Sequence, residues 1–358
     1  SASGFSYLYL GNQWMMTAGH VTEGTVNLAQ GSFSLIPNTA VRLTNPSGTY
    51  SKRNSQGNQV SGTLSTFSDI KLFRVNTDTT TGLRPEDLNP NIKPISIASS
   101  SPGVGTSIVM IGIGNERVVN LNDTTGTGQF HINVNTSGSN WTWATPTLNS
   151  GGNFHGFATS TNRRKVWGAN QVSTDQSVEG FSDGDNVVVT NAGGGIETLT
   201  LVAQFNNPNN SQNVGITNNE AIATAGDSGG PVFFKDGQGQ WQLAGIMNSI
   251  YQLNGQQPTY TGYGVYGTYS GGEVGDWTAF SDLANSHYSQ QIATLRAQSN
   301  YSVMGDINLD GVVSGDGTGA WANDDVTAFI QGWLHTQSQG NILSWKKGDL
   351  DQNGTTDL

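Results

Sequence analysis

Gly226-Asp227-Ser228-Gly229-Gly230-Pro231 surrounds one serine with residues small enough for the backbone to fold tightly about a reacting carbonyl. A serine hydroxyl is a weak nucleophile alone. It needs a base within hydrogen-bond reach, and backbone N–H groups to receive the negative charge that develops on the attacked oxygen. The stretch therefore demands a histidine and a buried carboxylate elsewhere, and upstream the chain offers Thr17-Ala18-Gly19-His20 and Ser68-Asp69-Ile70-Lys71-Leu72-Phe73. Both sit in strand-like settings: Leu8, Leu10 and the run Trp14-Met15-Met16 lead into His20, while Ile70 and Leu72 alternate with Lys71, so Asp69 opens a half-buried strand. The order along the chain is His20, Asp69, Ser228.

Composition frames these motifs. A chain of 358 residues exceeds one typical domain, and a hydrophobic content of 34% suffices for a sizeable core. Gly 48, many Asn, Thr and Ser, and few long apolar periodic stretches favour short strands and turns for most of the length. The absence of cysteine rules out disulfides and thiolate metal sites. A formal charge of -11 argues against nucleic acid, which requires clustered Lys and Arg to neutralise phosphates. The one basic run, Arg163-Arg164-Lys165, reads as a solvated loop. No apolar stretch of about twenty residues is present to span a bilayer. Ser1-Ala2-Ser3-Gly4 has neither a basic start nor an apolar run, which reads as a processed or truncated beginning.

On its three motifs the chain resembles the trypsin/chymotrypsin-like serine proteases. Thr17 to His20 looks like the family's histidine motif, Asp69-Ile70-Lys71-Leu72 like its aspartate motif, and Gly226 to Pro231 like its serine motif. The resemblance implies an all-β double antiparallel barrel over residues 1–299, two six-stranded barrels with the site between them and a C-terminal helix on the second. Phe280 to Leu295, with Leu283, Tyr288, Ile292 and Leu295 as its apolar face, is the expected helix. It also implies His20 as general base, Asp69 as its orienting partner, Ser228 as nucleophile, and the N–H groups of Gly226 and Ser228 as the oxyanion hole. Lack of cysteine departs from many secreted relatives and fits a bacterial source better. Many relatives set a freed N-terminal amine against the carboxylate preceding the serine, here Asp227. No Ile-Val-Gly-Gly start is visible, so either Asp227 has another partner or the natural chain begins earlier.

The separation of Asp69 from Ser228 exceeds the family's usual one, and the surplus falls within residues 110–220, where Gly, Asn and Thr predict added hairpins or loops at the cleft rim. Trp141, Trp143 and His155 lie there, the tryptophans spaced as one face of a strand. By the same resemblance Ile222 lies at the base of the primary substrate pocket, Asn248, Ser249 and Ile250 on one wall, and Gly264 on another. An apolar Ile222 cannot pair with Arg or Lys, and branched Ile250 narrows the space, so small or medium apolar residues are expected at the cleaved position.

From about Asn300 the composition changes. Asp306, Asn308, Asp310, the Val312 carbonyl and Ser314 place oxygens at alternate positions around Gly311, as a hard cation such as Ca2+ requires. A second run repeats the pattern with Asp349, Asp351, Asn353, Thr355 and Asp357 around Gly354. The two half-loops, with the helical apolar face of Val326 to Leu334 between them, resemble a type I dockerin over residues 302–358. That resemblance implies a small α-helical calcium-binding module, a cohesin-bearing scaffold or cell-surface partner, and a secreted or cell-surface location, as in polysaccharide-degrading assemblies. Gly315 to Asp324 interrupt the first loop, which leaves Asp325 as the best candidate for its acidic twelfth ligand, with Asp324 as the alternative. The second loop stops at Leu358, so the module reads as C-terminally truncated.

Three functions fit: a secreted serine endopeptidase tethered through calcium, a catalytically inactive protease-fold binding protein, and a calcium-dependent adhesion protein. Retention of His20, Asp69 and Ser228 together favours the first. Asn122, Asn135, Asn140, Asn209 and Asn353 sit in glycosylation-type triplets, which arise easily in so Asn- and Thr-rich a chain and are given no role.

Overall fold

The computed structural model describes residues 6–28, 31–53, 59–78, 80–81, 84–89, 95–117, 129–138, 141–147, 151–157, 159–173, 187–190, 196–206, 220–253, 256, 263–269, 272–297, 315–320, 324–327 and 329–330. Strand dominates. In the N-terminal part run β1 (Leu8–Gly11), β2 (Trp14–Ala18), β3 (Val26–Leu28), β4 (Gly31–Leu35), β5 (Val41–Thr44), the hairpin β6 (Thr49–Arg53) and β7 (Gln59–Thr63), and the long β8 (Phe67–Asp78). Six of them form one antiparallel sheet in the order β1-β2-β8-β4-β3, with β5 also on β8. The sheet curls because β8 changes partners along its length: Lys71 and Leu72 pair with both β2 and β5, whereas Val75 and Asp78 pair with β4.

Both faces of β2 are buried, and the pleat sends its two methionines to different cores. Met15 joins Val26, Phe33, Phe73 and Val75 inside the curled sheet. Met16 joins Leu10, Ile70 and Leu72 on the other side, where Leu243, Ile246 and Leu283 of the second half and Tyr288 and Ile292 of the C-terminal helix complete the packing. The two halves therefore share one apolar seam, which fixes the chain segments that carry the site.

The second half contains β9 (Ser107–Gly112), β10 (Asn115–Arg117), β11 (Gln129–Ile132), β12 (Val134–Asn135), β13 (Thr142–Trp143), β14 (Phe154–Phe157), β15 (Thr159–Arg163), β16 (Val166–Gln171), β17 (Val187–Thr190), β18 (Ile196–Gln204), β19 (Pro231–Lys235), β20 (Trp241–Tyr251), β21 (Tyr263–Tyr269), β22 (Gly272–Gly275) and β23 (Trp277–Ser281). A seven-stranded antiparallel sheet runs β16-β9-β19-β20-β23-β18-β17, and a separate four-stranded sheet runs β11-β14-β21-β22. All-β architecture with curled antiparallel sheets and few helices fits a trypsin-like barrel. Two plain six-stranded barrels do not describe it: residues 110–220 supply β11 and β14, of which β14 pairs with β21 and β11 with β14, around a core of Phe130, Ile132, Trp141, Phe154, Leu253, Val265 and Val274. The aromatic pair packs there, Trp141 and Trp143 both lying 5.6 Å from the Phe154 ring. His155 on β14 faces His131 on β11, their Nδ1 atoms 2.8 Å apart, so one imidazole donates to the other. Burial, and then the His131 charge, hold His155 below the ordinary histidine range.

Besides α1 (Pro85–Leu88), the chain forms α2 (Ser286–Ala297). The helix expected from Phe280 thus begins six residues later, because Trp277–Ser281 is claimed as a strand between β18 and β20. Asn285 is the start signal: its side chain accepts the His287 N–H at 3.0 Å, and its carbonyl accepts the Ser289 N–H. Leu283, Tyr288 and Ile292 are buried as expected, and Leu295 packs against the same seam. No described helix is long and apolar enough to cross a membrane.

Candidate active site

β2 and β8 pair in antiparallel register with Ala18 opposite Ile70. His20 just beyond the end of β2 and Asp69 near the start of β8 therefore meet at the same edge of the sheet. Asp69 is fully buried and accepts twice from one residue: Oδ1 takes the His20 backbone N–H at 2.8 Å, and Oδ2 takes His20 Nδ1 at 2.8 Å. The carboxylate can only accept, so it assigns the proton to Nδ1 and leaves Nε2 as the acceptor. Nε2 stands 2.9 Å from Ser228 Oγ. The imidazole is 15% exposed, enough to meet a substrate from one side only.

Main-chain anchors fix Asp69 from the far half of the molecule. Its N–H donates to Thr198 Oγ1 on β18 at 2.8 Å, and its carbonyl accepts from Asn248 Nδ2 on β20 at 2.8 Å. The turn after His20 is pinned by the Lys71 ammonium, which donates to the Val21 carbonyl at 2.7 Å and pairs with Glu23 at 2.8 Å. Burial opposes ionisation of Glu23, but the Lys71 hydrogen bond and charge hold its carboxyl below the usual range.

Ser228 sits in a turn locked to β20: Gly229 N–H donates to the Met247 carbonyl, Met247 N–H to the Gly230 carbonyl, and Gly230 N–H to the Asp227 carbonyl, all at 2.8 Å. Two glycines are required there. Gly229 has φ +84°, and a Cβ on it would lie 2.2 Å from Thr17 Oγ1; Gly226 has φ +102°, and its Cβ would press on Arg163 and the Ile113 carbonyl. Among the described residues, the N–H groups of Gly226 and Ser228 engage no carbonyl. Asp227 does have a partner inside the chain. Its Oδ2 accepts the Thr224 N–H at 2.7 Å and lies 3.1 Å from the Thr224 hydroxyl, while its own N–H returns to the Thr224 carbonyl. Gly112 and Gly114 leave space for this carboxylate, which any side chain at either position would fill. Oδ1 has no hydrogen-bond partner, and burial pushes the acid above the ordinary carboxylate range.

Beside this cluster a pocket is lined by Arg117, Phe157, Phe205, Ile222, Thr224 and Gly264 among others. Ile222 and Gly264 are thus brought together as expected, and the Arg117 guanidinium stacks 3.7 Å over Phe157. Asn248, Ser249 and Ile250 are not part of that lining. The Asn248 side chain turns inward to Asp69, and Ser249 and Ile250 pair with Ala279 and Thr278 of β23. Ile250 is half-buried and packs against the barrel core.

Of the expected calcium ligands, Asp306, Asn308, Asp310, Val312, Ser314, Asp349, Asp351, Asn353, Thr355 and Asp357 lie outside the described residues. Asp325 is described and buried at the start of a short helical stretch, residues 325–327. The neighbouring Asp324 is its cap: its carboxylate accepts N–H groups of Thr327 and Gly319 at 2.9 Å and of Gly317 at 3.1 Å, and these donors hold its carboxyl down at about 2.

A protein-family model described as Trypsin matches residues 8–159, a span that includes His20 and Asp69 and ends before Ser228. The match and the all-β architecture support a trypsin-like serine protease, a hydrolase acting on peptides or proteins. No curated protein matches the chain. Sequence reasoning missed Thr198 as an anchor, and Asn248, expected at a pocket wall, donates its amide to the Asp69 carbonyl. A buried threonine in the alternating strand Ile196–Gln204 was the available signal for the first.

Proposed function

We propose that the chain is a serine endopeptidase using His20, Asp69 and Ser228. The supporting observation is the continuous line Asp69 Oδ2, His20 Nδ1, His20 Nε2, Ser228 Oγ, with contacts of 2.8 and 2.9 Å. His20 takes the Ser228 proton as Oγ attacks the carbonyl, and Asp69 keeps the tautomer and stabilises the imidazolium. The N–H groups of Gly226 and Ser228 hold the oxyanion. His20 then protonates the leaving amine, and water releases the acyl group by the same steps in reverse. Ile222 and Gly264 favour small or medium apolar side chains at the cleaved position, in a lining that also carries one acid, Glu220, and one base, Arg117.

Residues 302–358 are proposed to form a calcium module that tethers the peptidase, outside the cell, to a cohesin-type partner. The support is the repeated Asp-x-Asn/Asp-x-Asp/Asn-Gly spacing, with Asp325 kept as the candidate for the twelfth ligand position. The oxygen donor set suits Ca2+.

A peptide panel varied at one position tests the first part: cleavage after apolar residues, lost in Ser228→Ala, is expected, and cleavage after Arg or Lys contradicts the pocket assignment. Circular dichroism with EGTA tests the second. Helical signal falls on chelation while the β signal persists; identical spectra with and without calcium contradict the module.

A further inference from the structure

Gly275-Asp276-Trp277 carries the chain from β22 into β23 and sets a carboxylate, fully buried, against the same core as Val265, Val274 and Leu253. It has no bond to the His20 cluster. Oδ1 accepts the Leu253 N–H at 3.1 Å; Oδ2 accepts Gln256 Nε2 at 3.1 Å, the Gly264 N–H at 3.1 Å and the Val265 N–H at 3.0 Å. The main chain of Asp276 adds two more bonds, donating to the Val265 carbonyl and accepting the Phe205 N–H, both at 2.8 Å. One residue thus gathers the end of β18, Leu253 and Gln256, and the start of β21.

Gly264 and Phe205 both line the pocket, and a Cβ on Gly264 would stand 3.3 Å from Ile222 and Phe205 alike. Two positions along the same strand, Thr278 Oγ1 accepts the Ala223 N–H at 2.8 Å and so holds the segment that carries Ile222. The beginning of β23 is therefore the frame on which both sides of the pocket hang. Burying a carboxylate without a cation is costly. We propose that Asp276 is a positioning residue that sets the shape of the substrate pocket, acting through Gly264 and Phe205. The proposal rests on the peptidase reading.

Ionised, the carboxylate accepts from all four donors. Protonated, one oxygen gains a hydrogen directed among N–H groups, and at least one of these bonds must yield. Every described group facing it is neutral: the N–H groups of Leu253, Gly264 and Val265 and the Gln256 amide. Burial outweighs these donors and pushes the acid up to about 7. Peptide binding should then weaken as pH falls through neutrality.

The test is steady-state kinetics on the full chain from pH 5.5 to 8.5 with apolar peptide substrates, alongside the rate of inactivation by diisopropyl fluorophosphate, which carries no peptide side chain. The wild type should raise KM several-fold below about pH 7. Asp276→Asn should raise KM about tenfold at pH 8, as expected for loss of one or two hydrogen bonds, remove its pH dependence, and leave kcat and the inactivation rate within about twofold. Should that variant fail to fold, Gln256→Met keeps the carboxylate but removes one donor, and the KM transition should move to higher pH. Normal inactivation with a wild-type KM flat between pH 6 and 8, or a midpoint unmoved by Gln256→Met, overturns the proposal. Absence of inactivation in the wild type overturns the peptidase reading instead.

Discussion

Asp69 and Asp276 are both fully buried carboxylates, yet one faces an imidazole and the other faces only neutral donors. Around Asp69, geometry passes from side chain to side chain until it reaches Ser228. Around Asp276, one side chain organises main-chain groups, and the pocket is what those groups enclose. Chemistry in the first region depends on particular functional groups; shape in the second depends on where the backbone runs. Substitutions in the two regions should therefore fail differently, the first in kcat and the second in KM and in stability.

The largest expected effect is in the first region. Ser228→Ala should lower kcat by about 10⁶-fold, as loss of the nucleophile does in an enzyme of this mechanism, and hydrolysis of a chromogenic peptide measures it. Asp69→Asn preserves shape but offers His20 the wrong tautomer, for an expected loss of about 10⁴-fold in kcat with KM little changed; a loss below tenfold would mean that Asp69 is only structural. Gly226→Ala places a side chain at φ +102° against Arg163 and the Ile113 carbonyl. Displacement of one oxyanion donor should lower kcat by about 10² to 10³-fold.

His20, Asp69 and Ser228 were legible as candidates in the sequence because each sits in a short motif whose small or apolar neighbours are needed for its own geometry. The all-β class and the apolar residues of α2 were legible for a similar reason: periodicity records burial. The anchoring of Asp69 was not. Asn248 stood within a matching stretch but spends its amide on the Asp69 carbonyl, a contact between residues far apart in the chain. Asp276 accepts mostly from main-chain N–H groups, which every residue other than proline possesses, so most of its neighbours carry no signature of the role. Strand against helix at Phe280 was likewise settled by pairing with β18 and β20, which local periodicity does not record.

Smaller effects sharpen the contrast through stability. Asp276 has a folded pKa of about 7, above its unfolded value, so between pH 4 and 7 the native state holds a proton that the unfolded chain has lost. Stability contributed by this group is therefore fully present at low pH and declines as pH rises through the window, on the order of a few kcal/mol, levelling above pH 7. Urea denaturation at several pH values measures the slope, which Asp276→Asn should flatten. Thr198→Val removes the acceptor of the Asp69 N–H and should cost about 1 to 3 kcal/mol, with a modest fall in kcat; an unchanged denaturation midpoint would separate β18 from the site.

Mass spectrometry of the full chain after exposure to diisopropyl fluorophosphate asks most directly whether Asp69, His20 and Ser228 form a working relay. A single adduct on the peptide containing Ser228, strongly reduced in Asp69→Asn and absent in His20→Ala, is the predicted result. No adduct on Ser228, or an equal yield without His20, would contradict it.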